Sequence, residues 1–106
     1  MAKRSMLIPR DDNGASYPAV KLGAVQTVAA GASSAAIANP LETEVIRVAC
    51  SVDCHIAQGA APVATTNDSP LFAGTIEYLR NAPGEKIAVI KAAGEADGTL
   101  YVTEGR

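Results

Sequence analysis

The side chains best suited to chemistry crowd into one stretch, residues 50–55, CSVDCH: two cysteines, an aspartate and the single histidine of 106 residues. Thiols beside an imidazole suggest zinc, and an acid beside a histidine suggests general acid–base work. Spacing argues against both. Every second residue from Ile46 gives Ile46, Val48, Cys50, Val52, Cys54 and Ile56, while the intervening set is Arg47, Ala49, Ser51, Asp53 and His55. That period belongs to a strand with one dry and one wet face, so residues 44–56 are expected to form one extended strand. His55 then faces away from both thiols, and no second cysteine cluster exists to complete four zinc ligands. On such a strand the Cα atoms of Cys50 and Cys54 lie about 13 Å apart, too far for a disulfide. The thiols are then small core residues. Asp53 and His55, about 7 Å apart on the wet face, make a surface pair. A break in the strand at Asp53 would reopen the metal question.

No other constellation carries a reaction. One histidine excludes a histidine-based triad beyond His55 or a multi-histidine metal site within one subunit. Glu42, Glu44, Glu77, Glu85, Glu95 and Glu104 are scattered singly, as solvated charge is, whereas acid–base pairs need two carboxylates in one pocket. Gly94 and Gly98 share a turn with Glu95 and Asp97, whose charges repel phosphate. Ser33 and Ser34 have no base nearby. The expectation is a protein that is not an enzyme, with no catalytic residue, cofactor, metal or small-molecule substrate.

The elements that hold these residues follow from composition and turn signals. A chain of this length makes one domain. A net charge of −2 gives no positive field to hold nucleic acid. Hydrophobic residues reach 48%, yet aromatics are 4% and tryptophan is absent. Much of the apolar total is alanine, which buries little area, so a thin core that gains by packing on copies of itself is expected. No stretch approaches the roughly 20 apolar residues of a membrane span, and the start lacks the apolar run of a signal peptide.

Residues 1–20 read as an extended arm: Lys3, Arg4 and Arg10 stand beside Asp11 and Asp12, DDNG is a turn signal, and Pro9 and Pro18 deny a continuous helix. Its apolar run Met6, Leu7, Ile8 suits a segment that orders across a neighbouring subunit. Residues 21–106 form the domain. Within the alanine-rich stretch 22–37, two glycines and several β-branched residues weaken a helix; short strands at 24–29 and 33–37 are expected, with Gly31 in the turn. After the central strand comes QGAAPVATTNDSP, a long surface loop suited to contacts. From it Val63, Ala64 and Thr65 can touch a sheet edge. Strands follow at 75–80, with Ile76 and Tyr78 on one face, at 86–92 as an inner strand, and at 99–103, with Leu100 and Val102 opposite Tyr101. Asn81-Ala82-Pro83-Gly84 is a turn with Gly84 at positive φ. Seven or eight short strands indicate an all-β, single-domain β-sandwich or jelly roll.

The second half resembles small proteins, roughly a hundred residues long, of tailed bacteriophages and prophages. In that group a "VxCHIxxG" strand is followed by "LxAGxxEYxR", "PGxKIAVI" and "GTLYVTE". The matching residues are Cys54, His55, Ile56 and Gly59; Leu71, Ala73, Gly74, Glu77, Tyr78 and Arg80; Pro83, Gly84 and residues 86–90; and residues 98–104. The resemblance covers about half the chain well, the first half loosely and the arm not at all. It implies a virion structural protein assembled in the host cytoplasm, with no nucleic acid or membrane partner. A capsid decoration or cement protein, homo-oligomeric on the major capsid protein or another virion protein, is the leading expectation. A neck or tail accessory protein and a receptor- or glycan-binding module are the alternatives. Partner contacts are expected at Lys3, Arg4, Met6, Leu7, Ile8 and Arg10 of the arm and at Gln58, Thr65, Asn67 and Asp68 of the long loop.

Overall fold

A computed structural model of the chain describes residues 22–105. Among these residues there is no helix, and eight strands follow in order: β1 Leu22–Ala30, β2 Ala35–Ala36, β3 Val45–Cys50, β4 Cys54–Gly59, β5 Ser69–Leu71, β6 Ile76–Arg80, β7 Lys86–Lys91 and β8 Gly98–Gly105. They make two four-stranded sheets, β1-β8-β3-β6 and β2-β7-β4-β5, antiparallel at every pairing. The chain is all-β and sandwich-like. The arm expected over residues 1–20 lies outside the described residues.

Alternation places the core between the sheets. Ile46, Val48 and Cys50 from β3, Leu100 and Val102 from β8, Cys54 and Ile56 from β4, and Ile87 and Val89 from β7 are all buried in one cluster with Ile37, Leu41 and Leu71. Each aliphatic side chain taken from water contributes about 1.5–3 kcal/mol. No aromatic among the described residues helps: Phe72, Tyr78 and Tyr101 are all exposed. β8 and β3 hold the inner positions of one sheet and β7 and β4 those of the other, each hydrogen-bonded on both sides. The stretches at 24–29 and 33–37 do become strands, but β1 and β2 go to opposite sheets, so the chain around Gly31 is a crossing.

Two turns are fixed by residue type. Glu85 N–H donates to Ala82 O at 3.0 Å, and Gly84 has φ of 93°, as a type II turn with proline first and glycine second requires. Next to it, buried Asn81 binds the segment that leads into β3. Its backbone N–H donates to Glu44 O at 2.8 Å, and Nδ2 donates to Leu41 O at 3.1 Å and Thr43 O at 3.0 Å.

The expectation of one strand over residues 44–56 is overturned. β3 ends at Cys50 in one sheet, β4 begins at Cys54 in the other, and residues 51–53 make the corner. Alternation survives the break because both strands must turn the same residue set toward one shared interior. Periodicity therefore reports the dry side without reporting the change of sheet.

The corner is held by bonds from three other segments. Ser51 N–H donates to Thr99 O at 3.0 Å, and Thr99 N–H returns to Ser51 Oγ at 2.9 Å. Gly74 N–H donates to Cys50 O at 3.2 Å and Ala92 N–H to Asp53 O at 2.9 Å. Ala73 N–H donates to the Asp53 carboxylate at 2.8 Å. β8 can enter beside this corner only as glycine: a Cβ at Gly98 would stand 2.7 Å from Ser51 Oγ and from one Val52 methyl, and 2.9 Å from the other.

Gly98→Ala is therefore expected to force the corner and β8 apart and to lower stability by about 2 kcal/mol. Urea unfolding checks it, with a clear drop in midpoint at unchanged slope as the expected result. A midpoint equal to that of the parent would contradict the close approach.

Candidate functional site

The corner brings together what an unbroken strand would have kept apart. Cys50 and Cys54 are both buried and both reduced. Burial, and then hydrogen bonding to the neighbouring Cys50 thiol, push the Cys54 thiol up to about 12. A thiol so placed is held protonated and is a poor nucleophile and metal ligand. The separation of about 13 Å expected for an extended chain is thus corrected to side-chain contact, because the chain turns between the two residues.

His55 does face away from the thiols. It is half-buried on the outer side of β4, and its Nδ1 lies 3.0 Å from Asp68 O. A carbonyl only accepts, so Nδ1 carries the proton in this contact. The expected Asp53–His55 surface pair is replaced: the Asp53 carboxylate holds Ala73 N–H instead. Among the described residues, no three His, Cys, Asp or Glu side chains are grouped as metal ligands.

The long loop folds back on its own sheet. Ala64 is buried, and its N–H donates to Ser34 Oγ at 2.8 Å, beside the edge strand β2. Ala88, on the outer side of β7 by alternation with Ile87 and Val89, is fully buried too. Together with the His55 contact to Asp68, these place residues 64–68 over the outer face of β2-β7-β4-β5.

Of the contact residues expected from the sequence, Thr65, Asn67 and Asp68 come together in one tight turn. Asp68 N–H donates to Thr65 O at 3.0 Å. The Asp68 carboxylate accepts from Thr65 N–H at 2.7 Å and from Thr65 Oγ1 at 3.2 Å. Asn67 N–H donates to Thr65 Oγ1 at 3.2 Å. Their polar groups serve the turn before they serve any partner. Gln58 stands apart, at the end of β4, where Nε2 donates to Arg80 O at 2.9 Å and joins the two sheets at an edge. Lys3, Arg4, Met6, Leu7, Ile8 and Arg10 lie outside the described residues.

The surface that sequence reasoning missed is the outer face of β1-β8-β3-β6. Register aligns Thr27, Tyr101, Ala49 and Ile76 in one row across the four strands, and Val25, Thr103, Arg47 and Tyr78 in the next. Val25, Tyr101, Ile76 and Tyr78 are 58%, 46%, 46% and 36% exposed. Among the described residues, Arg47 and Arg80 are the charged side chains that register turns to this face, and at its end Glu44 lines a shallow pocket with Arg80, Asn81, Ala82 and Pro83. The ion pair found among the described residues lies elsewhere, between Lys91 and Asp97. Exposed aliphatic and aromatic groups with arginine match the composition of protein interfaces. The sequence held half of the signal, since Ile76 and Tyr78 share a face by alternation. The other half needed the strand order that sets β6 beside β3 and β8 beside both β3 and β1.

Comparison with family models, with curated proteins and with solved structures finds no match for this chain.

The raised Cys54 pKa has a stability consequence. The unfolded thiol ionises near 9.0 and the folded one near 12, so its contribution is fully present below pH 9 and is lost as pH rises toward 12. The slope in that window is up to about 1.4 kcal/mol per pH unit. Urea unfolding of the parent and of Cys54→Val at pH 8 to 11, roughly the onset and body of that window, should show the gap between them shrinking in favour of the variant as pH rises. Parallel curves would contradict a buried, protonated Cys54.

Proposed function

We propose that this chain is a virion structural protein, foremost a capsid decoration protein that stabilises a phage head lattice through non-covalent subunit contacts. The observation that carries the reading is the asymmetry of the two sheets. One outer face is closed by the chain's own loop, while the other, although Thr103 in its middle is buried, bears exposed apolar and aromatic groups and two arginines. Such a face is built to be covered by protein. The resemblance of the β4, β6, β7 and β8 stretches to small virion proteins of tailed phages supports the same reading.

The physics of a lattice suits this chain. A surface built from many copies binds through many weak contacts that act together, so no single interface need be large. A core made of short aliphatic side chains and alanine, with its aromatics turned outward, is consistent with a unit that gains stability on assembly. The partner is then the major capsid protein or another virion protein, with residues 2–12 of the arm reaching across to a neighbour.

Two expected outcomes follow. Purified protein titrated onto empty heads that lack it should bind at on the order of hundreds of copies per particle, as a shell-wide lattice requires. About a dozen copies or fewer would indicate a neck or tail position with ring symmetry. Affinity for a host glycan without particle binding, using Tyr78 and Tyr101 as stacking surfaces, would replace the proposal with a receptor-binding module. Deleting residues 1–10 should leave the urea midpoint unchanged while lowering the temperature at which decorated heads rupture. Undiminished particle stability would remove the arm from the contact.

A further inference from the structure

We propose that the open face of β1-β8-β3-β6 receives the N-terminal segment of a neighbouring copy of this chain. In this docking Met6, Leu7 and Ile8 lie on Val25 and Tyr101, and Asp11 and Asp12 face Arg47 and Arg80. The inference deepens the self-association part of the reading above by assigning the arm its landing surface.

Three features of the molecule favour this occupant. The first is chemistry. The face combines exposed apolar side chains with Arg47 and Arg80, and Glu44 stands beside Arg80 at its end. Within seven residues, the segment MLIPRDD combines an apolar triplet with two adjacent acids. The charges are also laid out in order: Val25 and Tyr101 belong to β1 and β8, whereas Arg47 and Arg80 belong to β3 and β6, on the other side of the sheet. A segment crossing the strands can set its oily end on the neutral half and its acids on the basic half. Lys3 and Arg4 then clear the β1 edge.

The second is dimension. Four strands about 4.8 Å apart make a face about 14 Å wide between outer strands. Met6 to Asp12 in extended form spans about 20 Å, enough to cross it. The third is reach. Residues 13–21 separate the segment from the start of β1 and extend at most about 30 Å, a length that lets it lie on a second copy. An exchange of arms between copies closes a ring or a dimer.

A charge-reversal experiment on the full-length chain tests the pairing. One variant carries Asp11→Lys with Asp12→Lys, a second carries Arg47→Glu with Arg80→Glu, and a third carries all four. Sedimentation equilibrium over a concentration series reads assembly, and urea midpoints show that the fold is kept. The parent should associate with rising concentration, more weakly as salt is added. Each two-site variant alone should lose association at concentrations where the parent is assembled. An equimolar mixture of the two should regain a hetero-complex, and the four-site variant should regain self-association.

A parent that stays monomeric at all concentrations, as it would if the arm covered its own face, overturns the proposal. So do reversal variants that assemble like the parent, or a four-site variant that remains monomeric. Head binding is measured separately. Self-association without head binding would end the virion reading and leave this one standing, and head binding by a strictly monomeric protein would do the reverse.

Discussion

The crossing of the chain from one sheet to the other at residues 51–53 is the constraint on which the rest of the structure depends. β3 and β4 are consecutive, yet they belong to opposite layers, so the backbone must turn sharply where both ends are buried. Polar groups in such a place need partners, because each one left unpaired costs about 1–3 kcal/mol. The strand β8 supplies them through Thr99, and the segments around Gly74 and Ala92 supply the rest. Gly98 lets β8 approach closely enough to do so. The register of β8 against β3 is thereby tied to the same point that joins the layers.

From that corner the two sheets acquire different outer faces. On the β4 side, the loop that leaves Gly59 lies back across its own sheet, with Ala64 buried and the Asp68 carbonyl at the His55 ring. On the β3 side, the outward residues of β6, β3, β8 and β1 fall into rows with nothing from residues 22–105 laid over Val25, Tyr101, Ile76 or Tyr78. The polar chemistry of the CSVDCH stretch is absorbed by the fold: the thiols go to the core, Asp53 to a backbone amide and His55 to a backbone carbonyl.

How much of this was legible in the chain depends on the kind of signal. Period-two alternation marks the inward set correctly from Ile46 to Ile56, at Ile87 and Val89, and at Leu100 and Val102, because each of these side chains must be dry. It is blind to the corner, since Ile46 and Ile56 face one interior whether or not the chain changes sheet; Ser51 and Asp53, both turn-formers, were the only local hint. The run KIAVIKA, apolar on both sides, implies cover on both faces of β7. That the cover is the chain's own loop rests on a contact between Ala64 and Ser34, thirty residues apart, which no local pattern carries. The contact role expected of Thr65, Asn67 and Asp68 meets the same limit: polar loop residues look alike whether they bond a partner or each other. The open face was legible only strand by strand, because its rows come from strand order.

The central claim is that the proposed partner is met through the outer face of β1-β8-β3-β6. Hydroxyl-radical footprinting of the free protein and of the same protein bound to the phage head proposed as its partner tests that claim most directly, since side chains that become covered lose reactivity. Tyr78 and Tyr101 should be strongly protected on assembly, while Phe72, exposed outside that face, should keep its reactivity. Protection confined to Phe72 and the 60–68 loop, with Tyr78 and Tyr101 as reactive as in the free chain, would contradict it.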